Sequence, residues 1–159
     1  MTDSVKLIKV RESIQADNDQ HAQDLRKELK ASKTLLINIM SSPGAGKPSL
    51  MLHTTGRLKD DYRLAVIEAD IDSTVDAERL ADSGVEAIQL QTDGFCHLDV
   101  LMVQQGLDSL DPHVLDIIFI ENVGNLVCPA EFDTGAALDV MILSVPEGDD
   151  KPLKYPLMF

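Results

Sequence analysis

The sequence predicts an α/β fold: a layered, mostly parallel β-sheet with flanking helices, preceded by an N-terminal helix. Five short apolar runs rich in β-branched residues recur along the chain, as in strands that are buried on both faces of a parallel sheet. The intervals between these runs have helical spacing, so strands and helices alternate. With 159 residues, the chain is long enough to bury a core.

The first helix is predicted over residues 11–32, where a narrow apolar stripe runs among many charged residues. We expect this helix to lie on the main body or on a partner, and we assign residues 1–33 to an N-terminal helical extension. The stripe comprises Ile14, Ala22, Leu25 and Leu29.

The remaining elements belong to a second unit, residues 34–159. Crossover helices alternate with the strands, and Ser73 with Asp76 resembles a helix N-cap followed by an acidic residue. The tail from Pro146 to Phe159 has three prolines and no room for another strand and helix, which predicts a sheet that is incomplete at its C-terminal side. Strands are predicted at 34–40, 63–69, 85–91, 115–121 and 138–144, and helices at 49–60, 73–83 and 98–109.

Acidic residues dominate the charge: 27 Asp and Glu against 14 Lys and Arg give a net charge of −13. Such a surface repels phosphate backbones, which argues against a general nucleic-acid binder. An anionic ligand therefore needs a local site of basic side chains or backbone amides, and Lys47 is a candidate for it.

No segment predicts a membrane partner or export. The apolar runs are far shorter than the roughly 20 residues of a membrane span, and the N-terminus has no apolar signal core. Two cysteines do not make a disulfide framework; in a cytosolic protein they are more often buried, reactive or metal-binding. We expect a cytoplasmic protein.

The stretch SSPGAGKPSL, residues 41–50, is close to the phosphate-loop pattern G-x-x-x-x-G-K-[ST]. Gly46 and Lys47 are in place, whereas Ser41 stands at the first glycine position and Pro48 at the magnesium-binding hydroxyl. The stretch follows a predicted strand and opens a predicted helix, as a phosphate loop does. A plain strand-to-helix turn without a ligand is the alternative.

Of the two departures from the phosphate-loop pattern, Pro48 is expected to weaken nucleotide binding more than Ser41. Proline lacks both the amide that should donate to the phosphates and the hydroxyl that should hold Mg²⁺, and it disfavours helical backbone angles at Lys47. In its favour, proline is well tolerated at the first position of a helix. A hydrogen bond to a charged group contributes about 1.5–3 kcal/mol, so loss of the amide alone predicts nucleotide binding weaker by about 10- to 100-fold. Ser49 lies one residue late and is a poor substitute for the hydroxyl.

Acidic residues follow two of the predicted strands, at the sheet edge where open α/β folds bind ligands. Asp70 and Asp72 end the second strand and could hold Mg²⁺, or could instead form an acidic loop that caps the next helix. Glu121 ends the fourth strand, three residues before Gly124, where nucleotide switches sense the γ-phosphate.

Cys96 and His97 are adjacent, and Cys128 follows 32 residues after Cys96. Thiolate and imidazole ligands suit zinc or nickel. Three ligands do not close a tetrahedral site, so water or a second subunit would complete it. The alternative is a buried thiol beside a surface histidine.

Together these segments resemble the hydrogenase nickel-incorporation GTPases of the HypB family, which deliver nickel during [NiFe]-hydrogenase maturation. The resemblance runs from about residue 10 to the last residue. It rests on SSPGAGK, VIEADID-x-x-x-DAER, CHLD, IENVGNLVCP and SVPEGDDKPLKYPLMF.

The resemblance implies a P-loop NTPase-like fold that binds and hydrolyses GTP. Asp70 and Asp72 would face Mg²⁺, Glu121 and Gly124 would sense the γ-phosphate, and Lys47, Asp70 and Glu121 would be catalytic. The implied phosphate-binding loop comprises Gly44, Ala45, Gly46, Lys47, Pro48 and Ser49.

The same resemblance makes Cys96, His97 and Cys128 the ligands of Ni²⁺ or Zn²⁺ at a nucleotide-dependent homodimer interface. Other nickel-delivery factors and the hydrogenase large subunit would be partners. GTP would favour the dimer, and hydrolysis would reset it.

The chain departs from the family pattern in three respects. The family usually has threonine where this chain has Pro48. The guanine-specifying Asn-Lys-x-Asp segment would follow soon after Phe159, and the N-terminal cysteine-rich and histidine-rich nickel motifs of some members are missing. We therefore expect weakened hydrolysis. A metal-binding dimerisation module without nucleotide function, or a poorly folding remnant, are the alternatives.

Overall fold

The computed structural model describes residues 10–70 and 75–159, with side chains from residue 15 onward in these ranges. The predicted N-cap Ser73 and the predicted magnesium ligand Asp72 lie outside the described residues. The helices are α1 (Val10–Ser32), α2 (Lys47–Leu58), α3 (Val75–Asp82), α4 (Val100–Asp108) and α5 (Lys151–Lys154). The strands are β1 (Leu35–Ser41), β2 (Leu64–Asp70), β3 (Glu86–Gln91), β4 (Ile117–Glu121) and β5 (Leu138–Ile142).

The five strands form one parallel sheet in the order β3-β2-β4-β1-β5. Because all strands run the same way, their carboxyl ends meet at one edge, where Glu68 of β2 stands opposite Glu121 of β4. The predicted α/β fold with flanking helices is confirmed.

Successive side chains of the buried strands point to opposite faces of the sheet and pack into two separate hydrophobic cores. On one face Ala65 and Ile67 of β2 pack with residues of α1 and α4, among them Leu25 and Val103. On the other face Leu64 and Val66 pack with Met51 of α2 and Leu80 of α3. The N-terminal helix thus buries Ala22, Leu25 and Leu29 of its apolar stripe on the sheet, whereas the side chain of Ile14 lies outside the described residues.

The helix after the phosphate loop begins two residues earlier than predicted. The backbone N–H of Leu50 donates to the Gly46 carbonyl at 3.0 Å, and α2 includes Lys47 and Pro48 in its first turn. The expectation that Pro48 displaces Lys47 from helical geometry is wrong, because proline fits the first turn, whose amides lack intrahelical partners.

Other boundaries differ by one or two residues for local reasons. Helix α4 begins at Val100 because the Asp99 side chain accepts a hydrogen bond from the Met102 amide at 2.8 Å, as an N-cap does. Strand β5 ends at Ile142, and a short 3₁₀-helix at Val145–Glu147 follows. No helix in the described residues is long and apolar enough to cross a membrane.

Candidate functional site

The loop between β1 and α2 depends on two glycines with left-handed backbone angles, Gly44 with φ 76° and Gly46 with φ 101°. A Cβ added at either position would meet no atom within 4 Å, so the backbone conformation, not space, calls for glycine. The loop therefore turns tightly into the N-terminus of α2, the geometry that favours anions.

Lys47 is buried beneath this loop, and its Nζ donates to Ser41 Oγ at 2.9 Å. Burial lowers the pKa of Lys47, and the nearby carboxylates, Glu121 foremost, oppose that shift. Ser41, at the first glycine position of the pattern, thus serves as a hydrogen-bond partner for the loop lysine.

The loop opens on a cavity of about 350 Å³ at the carboxyl ends of β1, β2 and β4. Of the predicted nucleotide-site residues, Gly44, Lys47, Pro48, Asp70, Glu121 and Gly124 line this cavity, whereas Ala45, Gly46 and Ser49 do not. The other lining residues are Pro43, Glu68, Ala69, Asp76, Asn122 and Val123.

Glu68 and Glu121 form a buried carboxyl pair on the floor of the cavity, 3% and 2% exposed. Burial and the repulsion from Glu121 raise the pKa of Glu68 to about 10. Burial likewise raises the pKa of Glu121, while the hydrogen bond from Glu68 opposes the shift. At neutral pH Glu68 therefore carries a proton, which it can donate to Glu121.

The acidic side of the cavity fits a magnesium ion, although the loop supplies no hydroxyl at Pro48. One oxygen of each buried glutamate, Oε2 in both cases, is buried with no hydrogen-bond partner in the described part of the structure. Hard carboxylate oxygens are the ligands that Mg²⁺ prefers, and Asp70 and Asp76 line the same side.

The segment after β4 lies tightly against the phosphate loop. A Cβ at Gly124 would stand 3.0 Å from Pro43 Cα, so a side chain here would require the Pro43 backbone to shift. The Asn125 amide donates to the Ser41 carbonyl at 2.9 Å. The two loops that face the cavity are therefore held together.

The predicted metal ligands also come together: the ligand atoms of Cys96, His97 and Cys128 all lie within 4.8 Å of one another. Two local turns place them. Thr92 Oγ1 donates to the Phe95 carbonyl at 2.7 Å in the turn after β3, and Asn125 Oδ1 accepts from the Cys128 amide at 3.1 Å.

The environment of these side chains suits a soft to borderline metal ion. His97 stacks on Phe132 with ring centroids 4.0 Å apart, and its Nδ1 is buried without a hydrogen-bond partner in the described residues. Burial lowers the pKa of His97, which favours the neutral, metal-binding imidazole. The hydrogen bond with Cys96, then burial, raises the pKa of the Cys128 thiol, so metal binding must release a proton.

Two acidic residues of the cavity, Glu68 and Asp76, have no site role predicted from the sequence. Asp76 appears there only as the acidic residue after a helix cap, and Glu68 lies inside an apolar run that predicts a strand. The spacing held a signal for Glu68: it precedes Asp70 by two residues, which puts both on the same face of β2.

The chain matches a family model described as CobW/HypB/UreG, nucleotide-binding domain, over residues 35–145. It is 46% identical over 154 residues to the hydrogenase maturation factor HypB of Rhizobium leguminosarum, which covers 97% of this chain and 52% of that protein. It is also 46% identical over 158 residues to the hydrogenase/urease maturation factor HypB of Helicobacter hepaticus, covering 97% of this chain and 64% of that protein.

Two solved structures share the fold. HypB from Helicobacter pylori in complex with nickel superposes with a TM-score of 0.82 at 42% identity, covering 89% of this chain and 67% of that one. HypB from Archaeoglobus fulgidus superposes with a TM-score of 0.81 at 36% identity, covering 90% and 70%. The chain thus spans between half and two-thirds of the curated relatives named above.

Proposed function

The chain belongs to the HypB family of the CobW/HypB/UreG nucleotide-binding domains, and from that premise we propose that it binds GTP and carries nickel for insertion into [NiFe]-hydrogenase. The observation that carries the proposal is the joining of two sites by one segment. The residues from Glu121 to Gly124 line the phosphate cavity, and the same segment continues to Cys128 of the metal site.

GTP hydrolysis in this cavity would use the groups that already face it. Lys47, with its Nζ held by Ser41, would contact the β- and γ-phosphates, and Asp70 would hold Mg²⁺. Glu121 would orient the attacking water, and Gly124 would contact the γ-phosphate through its amide. Mg²⁺, when bound, would neutralise charge on the phosphates. We expect hydrolysis to be weak, because Pro48 supplies neither the amide nor the hydroxyl of the usual loop.

Nickel is the cargo at the second site, with Cys96, His97 and Cys128 as its ligands; zinc has similar ligand preferences and would compete for them. Three ligands leave the ion open to a second copy of the chain, which supports a homodimer across the metal site. Nickel-delivery factors and the hydrogenase large subunit would be its partners in the cytoplasm.

The decisive experiment is calorimetric titration with GTP and with ATP, each in the presence and absence of Mg²⁺. We expect GTP to bind, with an affinity that depends only modestly on Mg²⁺ because Pro48 has no hydroxyl. A parallel titration with Ni²⁺ should show binding that Cys96→Ala abolishes, with Ser83→Ala as a matched control distant from the ligand triad. If no guanine nucleotide binds, the proposal that the chain binds GTP is contradicted.

A second function, a metal-dependent dimerisation module without nucleotide chemistry, is favoured by the convergence of the three metal ligands alone. It predicts that Ni²⁺ or Zn²⁺ drives dimerisation whether or not GTP is present. Sedimentation of metal-free protein distinguishes the two functions, since a shift produced by GTP and Mg²⁺ is incompatible with the module.

A further inference from the structure

Two buried asparagines connect the edge of the sheet to the segment that faces the phosphate cavity. Asn38 lies in the middle of β1 and Asn122 directly follows β4, and each is only 1% exposed. Burying an amide without hydrogen-bond partners is strongly unfavourable, so both side chains need partners inside the protein.

The hydrogen bonds form one continuous chain. Asn38 Nδ2 donates to Asp139 Oδ1 of β5 at 2.8 Å, and Asn122 Nδ2 donates to Asn38 Oδ1 at 3.1 Å. Asn122 Oδ1 in turn accepts from the backbone N–H of Val123 at 2.8 Å. We call Asp139, Asn38 and Asn122 the asparagine relay.

The chemistry of its two ends fixes the direction of the relay. A carboxylate at Asp139 can only accept and the Val123 amide can only donate, so each asparagine has one orientation that satisfies both of its neighbours. A buried network that is fully satisfied in one arrangement rigidifies the backbone it holds. The held backbone is the start of the segment after β4.

The relay ends where the cavity begins. Asn122 and Val123 line the cavity between Glu121 and Gly124, whereas Asn38 does not line it. The Asn122 amide also donates to the Ile39 carbonyl of β1 at 3.0 Å, so side chain and backbone tie this residue to the same strand.

We propose that Asn38 is a positioning residue that holds the segment from Glu121 to Gly124 in the conformation that receives the γ-phosphate. The role of that segment rests on the proposed function; the mechanical role of Asn38 does not. The other residues of β1 from Leu35 to Met40 are apolar, so Asn38 is the polar exception within this stretch of the strand.

The test reverses the direction of the hydrogen bond between residues 38 and 139. Asn38→Asp removes the donor and sets a carboxylate against Asp139, whereas the double variant Asn38→Asp with Asp139→Asn lets the new amide at position 139 donate to the new carboxylate at position 38. Asp139→Asn alone keeps an acceptor and is the matched control. Asp139→Ala, at the exposed edge strand, leaves the Asn38 amide unpaired without adding a charge, in case Asn38→Asp does not fold.

Hydrogen exchange of the ligand-free protein is the first readout. We expect exchange over residues 121–125 to be about tenfold faster in Asn38→Asp and Asp139→Ala, the factor for loss of the partly buried hydrogen bond between these residues. The double variant and Asp139→Asn should exchange like the wild type. Faster exchange spread equally over β3 and α4, or no change over 121–125, would overturn the proposal.

GTP turnover is the second readout. Because the phosphate loop is untouched, Asn38→Asp should lower kcat about tenfold or more while KM stays within about twofold, and the double variant should recover kcat. If kcat falls in Asn38→Asp and the double variant does not recover it, Asn38 is not a positioning residue. A wild type that does not turn over GTP would contradict the proposed hydrolysis, and the hydrogen-exchange experiment alone would then decide whether Asn38 positions the segment.

Discussion

Pro48 is the single residue whose chemistry sets the expected strength of the phosphate site. We predict that Pro48→Thr strengthens binding of Mg²⁺–GTP by about 10- to 100-fold, because it restores an amide donor to the phosphates and a hydroxyl for the ion. Calorimetry measures the change. Pro48→Ala restores the amide alone, so its gain should be the same with and without Mg²⁺. Binding by Pro48→Thr as weak as that of the wild type would show that Pro48 costs nothing.

Gly124 is the residue that lets the two loops of the cavity meet. Gly124→Ala would bring a Cβ to 3.0 Å from the Pro43 backbone. Overpacking of this kind costs about 1–3 kcal/mol, so we predict a lower melting temperature and weaker GTP binding.

Gly56→Ala is the matched control, since a Cβ at this site in α2 meets no atom within 4 Å. It should raise stability by about 0.5–1 kcal/mol, because alanine suits a helix better than glycine. A melting temperature and a GTP affinity that Gly124→Ala leaves unchanged would argue against the close approach of the two loops.

At the scale of elements, one ion pair connects the N-terminal ends of two neighbouring strands, β2 and β4. Arg63 precedes β2 and Asp116 precedes β4. The guanidinium atoms Nη2 and Nε of Arg63 donate to the Asp116 carboxylate at 2.7 and 3.0 Å, and the backbone amide of Arg63 donates to the same carboxylate at 2.8 Å. These hydrogen bonds from Arg63 lower the pKa of Asp116 to about 2. The pair is exposed, so its contribution is screened by solvent.

The sign of this shift gives a pH dependence. Because the folded-state pKa of Asp116 lies below its ordinary value of 3.8, the stabilisation is present above about pH 4 and is lost as the pH falls toward 2. We predict that Asp116→Asn lowers the melting temperature at neutral pH and that the deficit shrinks between about pH 4 and pH 2. Thermal melts across this range check it, and a deficit independent of pH would contradict it.

Helix α1 packs on the sheet through Ala22, Leu25 and Leu29 of its apolar stripe. Leu25 is 4% exposed and packs over Gly135, where an added Cβ would stand 2.8 Å from Leu25 Cδ2. We predict that Leu25→Ala lowers the free energy of unfolding by about 2–5 kcal/mol, the usual cost of a cavity in a core. Denaturant unfolding measures it. Lys27→Ala, on the exposed side of α1, should cost far less, and an equal cost would argue against burial of the stripe.

At the scale of the whole molecule, charge opposes association. Each copy carries a net charge of −13, so two copies that meet across the metal site repel each other. We predict that raising NaCl from about 50 mM to about 500 mM tightens the homodimer proposed above, because the Debye length shortens severalfold. Sedimentation velocity measures it. Cys128→Ala should stay monomeric at both salt concentrations if the metal joins the copies, and a dimer weakened by salt would contradict the prediction.

The sequence by itself determined the architecture and the family. Apolar runs rich in β-branched residues alternate with helical spacing, and this local pattern is enough to predict a parallel sheet with flanking helices. Parallel strands also bring their carboxyl ends to one edge, which is why Asp70, Glu121 and the loop at Lys47 could be expected near one another. The predicted start of α2 at residue 49 is two residues late, because the local pattern leaves open whether Lys47 and Pro48 belong to the loop or to the first turn of the helix.

Only the tertiary structure decided which side chains meet across the sheet. Strand order and register cannot be read from any local pattern. They place Glu68 opposite Glu121. They also place Asn38 between β5 and the loop after β4, so that its side chain hydrogen-bonds to both. The same holds for Cys96 and Cys128, which the sequence separates by 32 residues and the loops after β3 and β4 bring within 4.8 Å. Contacts between distant residues depend on packing of the whole chain, so they emerge only once the sheet is assembled.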